Sequence, residues 1–275
     1  MVATPIGNLE DLSMRAARVL AQVDIIAAED TRRTRILLRH LAVTAPKLVS
    51  LHEHNETQRV QSLVEKLQSG LAIALVSDAG TPLISDPGYR LVRAASEQRI
   101  NIVSVPGPSA ITAALSVSGL ATDRFVFEGF LPQRSAARQA RLQELVNESR
   151  TMVFFESPRR IDSCMQDLCI GFGDFREAAI CRELTKRFES VMRGSLGELR
   201  DQLAAMDEGL KGEIVVLVAG AQDRPESSAI DEELLLGLLA QALPPRAASE
   251  IAAKLTGKRK NDLYQEILKR VRLRD

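Results

Sequence analysis

Short apolar runs and longer segments of helical spacing take turns along the first 120 residues. Residues 24–28 (Asp-Ile-Ile-Ala-Ala), 48–51 (Leu-Val-Ser-Leu) and 73–76 (Ile-Ala-Leu-Val) are unbroken or nearly unbroken apolar runs. Strands look like this when both faces of a parallel sheet are covered. Residues 2–4 and 101–105 read as two further strands. Leu12, Ala16, Val19, Leu20 and Val23 recur at helical spacing, and Asp11 or Ser13 stands where a cap is needed. More helices are expected over 34–41, 56–68 (closed by Gly70), 89–98 and 109–119. This rotation of strand, loop and helix argues for a parallel sheet wrapped by helices.

A second block starts near Thr122. Strands are expected over 125–127, 152–155, 178–181 and 213–219, the last rich in β-branched residues. Helices are expected over 136–147, 161–168 and 196–205. The polar stretch 224–228, with Pro225, reads as a linker. Beyond it the pattern is all helical, over 231–243, 246–255 and 260–271. The last two helices meet at Thr256-Gly257-Lys258, in the manner of a helix-turn-helix. The chain is therefore expected to be an α/β protein in three parts: 1–120, 121–223 and a small helical module, 224–275.

Composition narrows the class. The 275 residues are 45% hydrophobic and 26% charged, ordinary for a globular protein. No apolar run approaches the ~18 residues of a membrane span. The first residues lack the basic start and apolar core of a secretory signal. Cys164, Cys169 and Cys181 form no Cys-x-x-Cys pair, so buried reduced thiols in a cytoplasmic protein are expected. Of three histidines only His52 and His54 are close in sequence, which argues against a metal site. The 36 basic and 36 acidic residues cancel, which at first argues against a nucleic-acid partner. The sum hides an uneven spread: residues 246–274 hold nine Lys and Arg against Glu250, Asp262 and Glu266.

Three loops should open on one edge of the first sheet: 4–8, 78–88 and 105–110. In open α/β sheets the carboxyl ends of the strands are where ligands bind. The middle loop, Asp-Ala-Gly-Thr-Pro-Leu-Ile-Ser-Asp-Pro-Gly, is long and carries two carboxylates, as functional loops do. None of the three is a dinucleotide or P-loop fingerprint, and none contains Lys or Arg. A polyphosphate would want such charge. A cofactor with a cationic centre suits the loops better, which points towards S-adenosylmethionine.

Further motifs accompany these loops. In order they are Val-Ala-Thr-Pro-Ile-Gly-Asn-Leu at 2–9, Ala-Ala-Glu-Asp-Thr-Arg at 27–32, Val-Ser followed by the long loop at 76–88, and Val-Pro-Gly-Pro-Ser-Ala at 105–110. Then come Glu-Gly-Phe-Leu-Pro at 128–132, Phe-Glu-Ser-Pro-Arg-Arg-Ile at 155–161, Arg-Glu-Leu-Thr-Lys at 182–186 and Lys-Gly-Glu at 211–213. This series resembles the tetrapyrrole methylase superfamily, and most closely its branch that acts on ribosomal RNA. The resemblance runs from residue 2 to about 220, and more loosely to the stretch around Lys-Asn-Asp-Leu-Tyr at 260–264. Relatives of that type carry several residues ahead of the first strand, whereas here the chain starts almost within it, so either a short strand or a trimmed start is expected.

The resemblance implies two α/β domains with S-adenosylmethionine in the cleft between them, in a bacterial, cytoplasmic homodimer. The implied reaction is methylation of the ribose 2′-oxygen of a cytidine in 16S ribosomal RNA of the small subunit. By motif matching, Pro5, Asp78, Thr81, Ser109 and Ala110 would line the cofactor pocket, joined by Glu156, Leu184 and Ala219 from the second domain. Two other readings stay open: a methylase of a small molecule such as a tetrapyrrole precursor, and a non-catalytic cofactor sensor that binds nucleic acid.

A 2′-hydroxyl attacks well only when its proton is drawn away, so a general base is expected. Glu29, Asp30, Arg32, His52, His54, Asn55, Glu56 and Asp86 are the polar candidates, with Asp30 or His54 favoured as the base or its orienting partner; Asp30 could instead pair with Arg32 or Arg33, and Glu56 could cap a helix. Arg32, Arg35 and Arg39 recur at helical spacing, as do Arg134, Arg138 and Arg141, so each set shares a helix face. Arg32, Arg134, Arg138, Arg141 and the tail residues Lys258, Arg259 and Lys260 are the expected RNA contacts. With no Trp and only Tyr89 and Tyr264, phosphate contact is expected to outweigh base stacking.

Overall fold

A computed structural model of the protein describes residues 1–44, 46–206, 210–221, 232–256 and 258–272. The chain divides into two compact units, Met1–Ala221 and Gln222–Asp275. The expected linker at 224–228, with Pro225, lies outside the described residues, as do Asp231 and Gly257.

In the first unit a short 3-10 turn, Leu9–Asp11, leads into α1 (Met14–Gln22). Ser13 is the cap: its hydroxyl accepts the Ala16 N–H at 3.0 Å. Then follow β1 (Ile25–Ala28), α2 (Thr31–His40), β2 (Lys47–Ser50), α3 (Glu56–Gln68), β3 (Ile73–Val76) and α4 (Tyr89–Glu97). The three strands form a parallel sheet in the order β2-β1-β3, with Ile25 opposite Lys47 on one side and Ile73 on the other. Alternation along the strands divides the core in two. Ile26, Ala28, Ala74 and Val76 pack under Ala16 and Leu20 of α1 and Leu37 and Leu38 of α2. Ala27 and Leu75 face the other way, onto Leu63 and Val64 of α3 and Leu91 of α4.

Two expected strands are reduced to single bridges. Val2 pairs with Val105, and Thr4 with Gly80. Residues 101–104 form no strand, and Ile102 and Val103 lie exposed. Helix α2 starts three residues earlier than expected, because Asp30 caps it by accepting the Arg32 N–H at 2.8 Å.

α5 (Ala110–Ser118) is apolar almost all round, which marks a helix covered on several sides. Its Ile111, Ala114 and Leu115 pack on Val153, Ala179, Cys181, Val215 and Leu217 of the second sheet. That sheet contains β4 (Phe125–Phe130), β5 (Thr151–Glu156), β6 (Glu177–Arg182), β7 (Ser190–Ser195) and β8 (Ile214–Val218), in the order β4-β5-β8-β6-β7. Only β4 and β5 run parallel; the other pairs are antiparallel. Its outer face is covered by α6 (Ser135–Glu144), α7 (Ile161–Phe172) and α8 (Leu196–Ala204), which share a core with Met152, Phe154, Ile180 and Val216. A capping box at Ser195 and Glu198 starts α8.

All three cysteines are buried and free. Burial pushes the Cys164 thiol up to about 12 and those of Cys169 and Cys181 up to about 11.

The second unit contains α9 (Glu232–Ala242), α10 (Pro245–Thr256) and α11 (Lys260–Arg272) around Leu236, Ala248, Ala252, Leu263 and Ile267. Lys260 reaches Glu250 at 2.9 Å and fastens α11 to α10, while Arg259 is exposed.

Candidate functional site

The three loops foreseen at the sheet edge are laced together. Thr4 and Gly80 exchange backbone hydrogen bonds at 2.9 and 3.0 Å. The Thr81 hydroxyl donates to the Pro108 carbonyl at 3.2 Å. Gly80 has φ +81°, and a Cβ there would press on the Ile6 side chain at 3.3 Å, so the turn is closed to other residues. Leu83 and Ser85 hold φ of 77° and 64° in the same loop. Left-handed non-glycine residues cost of order 1–3 kcal/mol each and cluster at functional sites.

These loops wall a cavity of about 360 Å3, within the usual range for small-molecule sites. Ile6, Gly80, Thr81, Asp86, Ser109 and Ala110 line it from the first half of the unit. Phe130, Phe155, Glu156 and the stretch 212–215 line it from the second. Gly129 bulges the β4–β5 ladder at φ +68° beside Ser85 and turns the half-exposed Phe130 to the cavity. Phe130 also meets Phe155 edge-on at 5.7 Å between ring centroids. This aromatic ring was not among the stacking residues foreseen from the sequence, because its direction depends on the bulge.

Of the expected cofactor residues, Thr81, Ser109, Ala110 and Glu156 line this cavity. Pro5 and Asp78 line a neighbouring hollow with Gly7, Arg33 and Ile36. The other two line neither hollow. Leu184 is buried among Ile6, Ile111 and Val215, behind the wall. Ala219 follows the far end of β8: its N–H donates to the Glu177 carbonyl, whereas Ile214, at the cavity, pairs with Glu156.

The favoured bases are also elsewhere. β2 is an edge strand, and the turn after it leaves His54 exposed, edge-on to His52 and off the cavity wall that follows β3. Asp30 is held in a fork by Arg32, at 2.7 to 3.2 Å, while it caps α2. Charged hydrogen bonding to Arg32 holds its carboxyl down at about 2, too weakly basic to draw a proton from a hydroxyl. Glu56 caps a helix other than its own, accepting the Arg90 N–H of α4 at 2.8 Å.

The site is acidic. Asp78 accepts the Asp30 N–H at 3.0 Å and lies 3.4 Å from Arg33, while its own N–H donates to Glu29. Glu156 is 3% exposed and reaches Arg160 at 3.1 Å. Glu213 meets Lys186, which also holds Glu183 and lies over Gly7. Asp86 makes no ion pair among the described residues. Burial pushes its carboxyl up to about 6; a hydrogen bond with Ser77 opposes the rise, and the charges of Glu29 and Asp78 add to it. No Lys or Arg lines the cavity among the described residues. Such a wall suits a cationic ligand and repels a polyphosphate.

One expected RNA contact is internal. Arg138 is 3% exposed and pairs with Asp167 at 2.6 Å, with further bonds to the Pro132, Gln133 and Ser163 carbonyls. Burial alone would raise the Asp167 carboxyl, but hydrogen bonds from Gln139, Ser135 and Arg138 outweigh it and hold it below its ordinary value. Arg141 is engaged by Glu128 and Glu144, each at 2.6 Å. Arg134 is exposed, as are Arg32, Arg35 and Arg39 on α2. Among the described residues there is no group of three or more His, Cys, Asp or Glu placed to hold a metal ion, and no helix long and apolar enough to cross a membrane.

Known proteins share both sequence and architecture with this chain. Residues 1–200 match the Tetrapyrrole (Corrin/Porphyrin) Methylases, and residues 226–270 match the RsmI C-terminal HTH domain. The ribosomal RNA small subunit methyltransferase I of Xylella fastidiosa (strain Temecula1) is 50% identical over 96% of this chain and 96% of its own length. The protein of that name from Pseudomonas aeruginosa is 48% identical over 98% of this chain and 96% of its own. In solved structures, diphthine synthase matches with TM-score 0.58 at 16% identity, covering 79% of this chain and 88% of its own. The cobalt precorrin-4 methyltransferase CbiF matches with TM-score 0.57 at 15% identity, over 79% of this chain and 92% of its own. At such identity these two likenesses speak to the fold alone. The family match over most of the chain and the near-half identity along its whole length agree: the chain belongs to the tetrapyrrole methylase family.

Proposed function

We propose that the protein transfers the methyl group of S-adenosylmethionine to the ribose 2′-oxygen of a cytidine in 16S ribosomal RNA of the small subunit. The observation that carries this reading is the acidic cavity without lysine or arginine, in a chain nearly half identical to small-subunit rRNA methyltransferases. Bound there, the cofactor supplies a methyl group on a sulfonium, which is already a good leaving group.

The chain's own residues have three tasks. Thr81, Ser109, Ala110 and the stretch 212–215 would hold the cofactor, with Glu156 and Glu213 providing negative charge near its cation. Phe130 offers a face on which a base drawn out of the RNA can stack, a contact worth about 1–3 kcal/mol per base. Holding the hydroxyl in line with the methyl supplies on the order of 7–11 kcal/mol of the barrier reduction. Arg32, Arg35, Arg39, Arg134 and the basic tail with Lys258, Arg259 and Lys260 provide the phosphate contacts. We further propose a cytoplasmic homodimer, with residues 1–120 and 121–223 as the two methylase domains and 224–275 as an RNA-docking module.

The test is tritiated methyl transfer to intact small subunits, to free 16S rRNA and to a tetrapyrrole precursor. Label in a cytidine ribose of the rRNA is expected. Label in the precursor alone, or in nothing, would overturn the reading.

A further inference from the structure

The geometry points to Asp86 as the general base that takes the proton of the ribose 2′-hydroxyl; this rests on the function proposed above. Three carboxylates line the cavity, and two of them have a cation: Glu156 has Arg160 and Glu213 has Lys186. Outside the wall, Asp78 has Arg33 and Asp30 has Arg32. Asp86 alone of the lining carboxylates has no ion pair among the described residues. It stands in the strained loop that also presents Gly80 and Thr81, and the cavity it lines is shared with Phe130, where a drawn-out base would stack.

Like charge bears on Asp86 from Glu29 at the end of β1 and from Asp78 on its own loop, and the nearby Ser77 offsets part of it. The other lining charges, Glu156 and Glu213, are those already paired. A lone, partly desolvated carboxylate among like charges has a raised proton affinity. A base of that affinity is ionised at neutral pH and still accepts a proton readily. In the step itself, the hydroxyl O–H bond breaks and its proton passes to the Asp86 carboxylate. The oxygen electron pair forms the new bond to the methyl carbon, and the old sulfur–carbon pair stays on sulfur as a neutral thioether. The proton then leaves Asp86 for water.

The experiment compares wild type, Asp86→Asn and Asp86→Glu in single-turnover transfer to small subunits between pH 5 and 9. S-adenosylhomocysteine affinity and Tm are measured on the same proteins. Asp86→Asn is expected to bind S-adenosylhomocysteine as wild type does and to lose about 10²–10⁴-fold in rate. The wild-type rate should rise to a plateau above about pH 6, a limb absent from the variant. Asp86→Glu should recover part of the rate. The stability sign runs opposite to the rate. A carboxyl whose folded value is raised adds stability below its ordinary value and loses it as pH rises towards about 6. Asp86→Asn should therefore raise Tm at pH 7.5, by roughly 2–4 °C. A variant within threefold of the wild-type rate overturns the assignment, as does a rate loss matched by an equal loss of S-adenosylhomocysteine affinity. A wild type that methylates no RNA overturns the proposed function instead, whatever the variants do.

Discussion

Helix α2 carries four arginines and α6 carries two behind an N-cap Arg134, and the two helices use them in opposite ways. On α2, Thr34, Leu37 and Leu38 are buried, and Arg32, Arg35 and Arg39 look outward beside the site loops. On α6 the one large buried apolar residue is Leu142, and Arg138 lies four residues before it on the same face. Arg138 therefore goes inside, where Asp167 of α7 and three carbonyls receive it. Spacing alone groups arginines on a face; the nearest large apolar residue decides whether that face is wet. A helix with too little apolar surface completes its packing with a paired charge.

The two helices differ most at Arg138. Arg138→Ala leaves Asp167 buried without its partner, and should cost about 3–5 kcal/mol in urea unfolding. The exchange of both residues, Arg138→Met with Asp167→Leu, should recover most of that. If Arg138→Ala were stable and merely bound RNA less well, α6 would belong with α2. A smaller effect is expected on the outward face. Arg35→Gln with Arg39→Gln should stay within about 0.5 kcal/mol of wild-type stability. It should flatten the slope of log affinity against log salt by about 0.7–0.9 per lost phosphate contact. The smallest concerns Arg32. Arg32→Gln should let the Asp30 carboxyl rise from about 2 towards its ordinary value, read by NMR titration. Because that value is depressed, the pair adds stability above the ordinary carboxylate range and loses it as pH falls towards about 2.

Much of the fold was legible where burial is two-sided. The runs that became β1, β3 and β8 are apolar throughout, and few alternatives exist for such segments. Helix ends were legible at Ser13 and Gly70, because caps act through neighbours in sequence. β7 was not foreseen. Its Ser-Val-Met-Arg-Gly-Ser is mixed in polarity and forms only as the partner of β6 at the sheet edge. The segment 101–105 failed in the other direction: apolar as it is, it makes a single bridge at Val105 and leaves Ile102 and Val103 exposed. At the site, the lacing loops were legible from their Gly and Pro. The pairing of Asp30 with Arg32, two residues on, was legible; which carboxylate lacks a cation was not, since Arg33 and Lys186 are brought to Asp78 and Glu213 by folding, and Asp86 is what remains of those lining the cavity.

The three buried thiols have a practical consequence for anyone wishing to watch the long loop move. With ionisation pushed to about 11 or 12, on the order of one thiol in ten thousand or fewer is thiolate at neutral pH. Maleimide dyes and nitroxide reagents should therefore pass the native cysteines by. Tyr89, exposed where the loop enters α4, becomes a selective attachment point as Tyr89→Cys, and the native thiols need not be removed first.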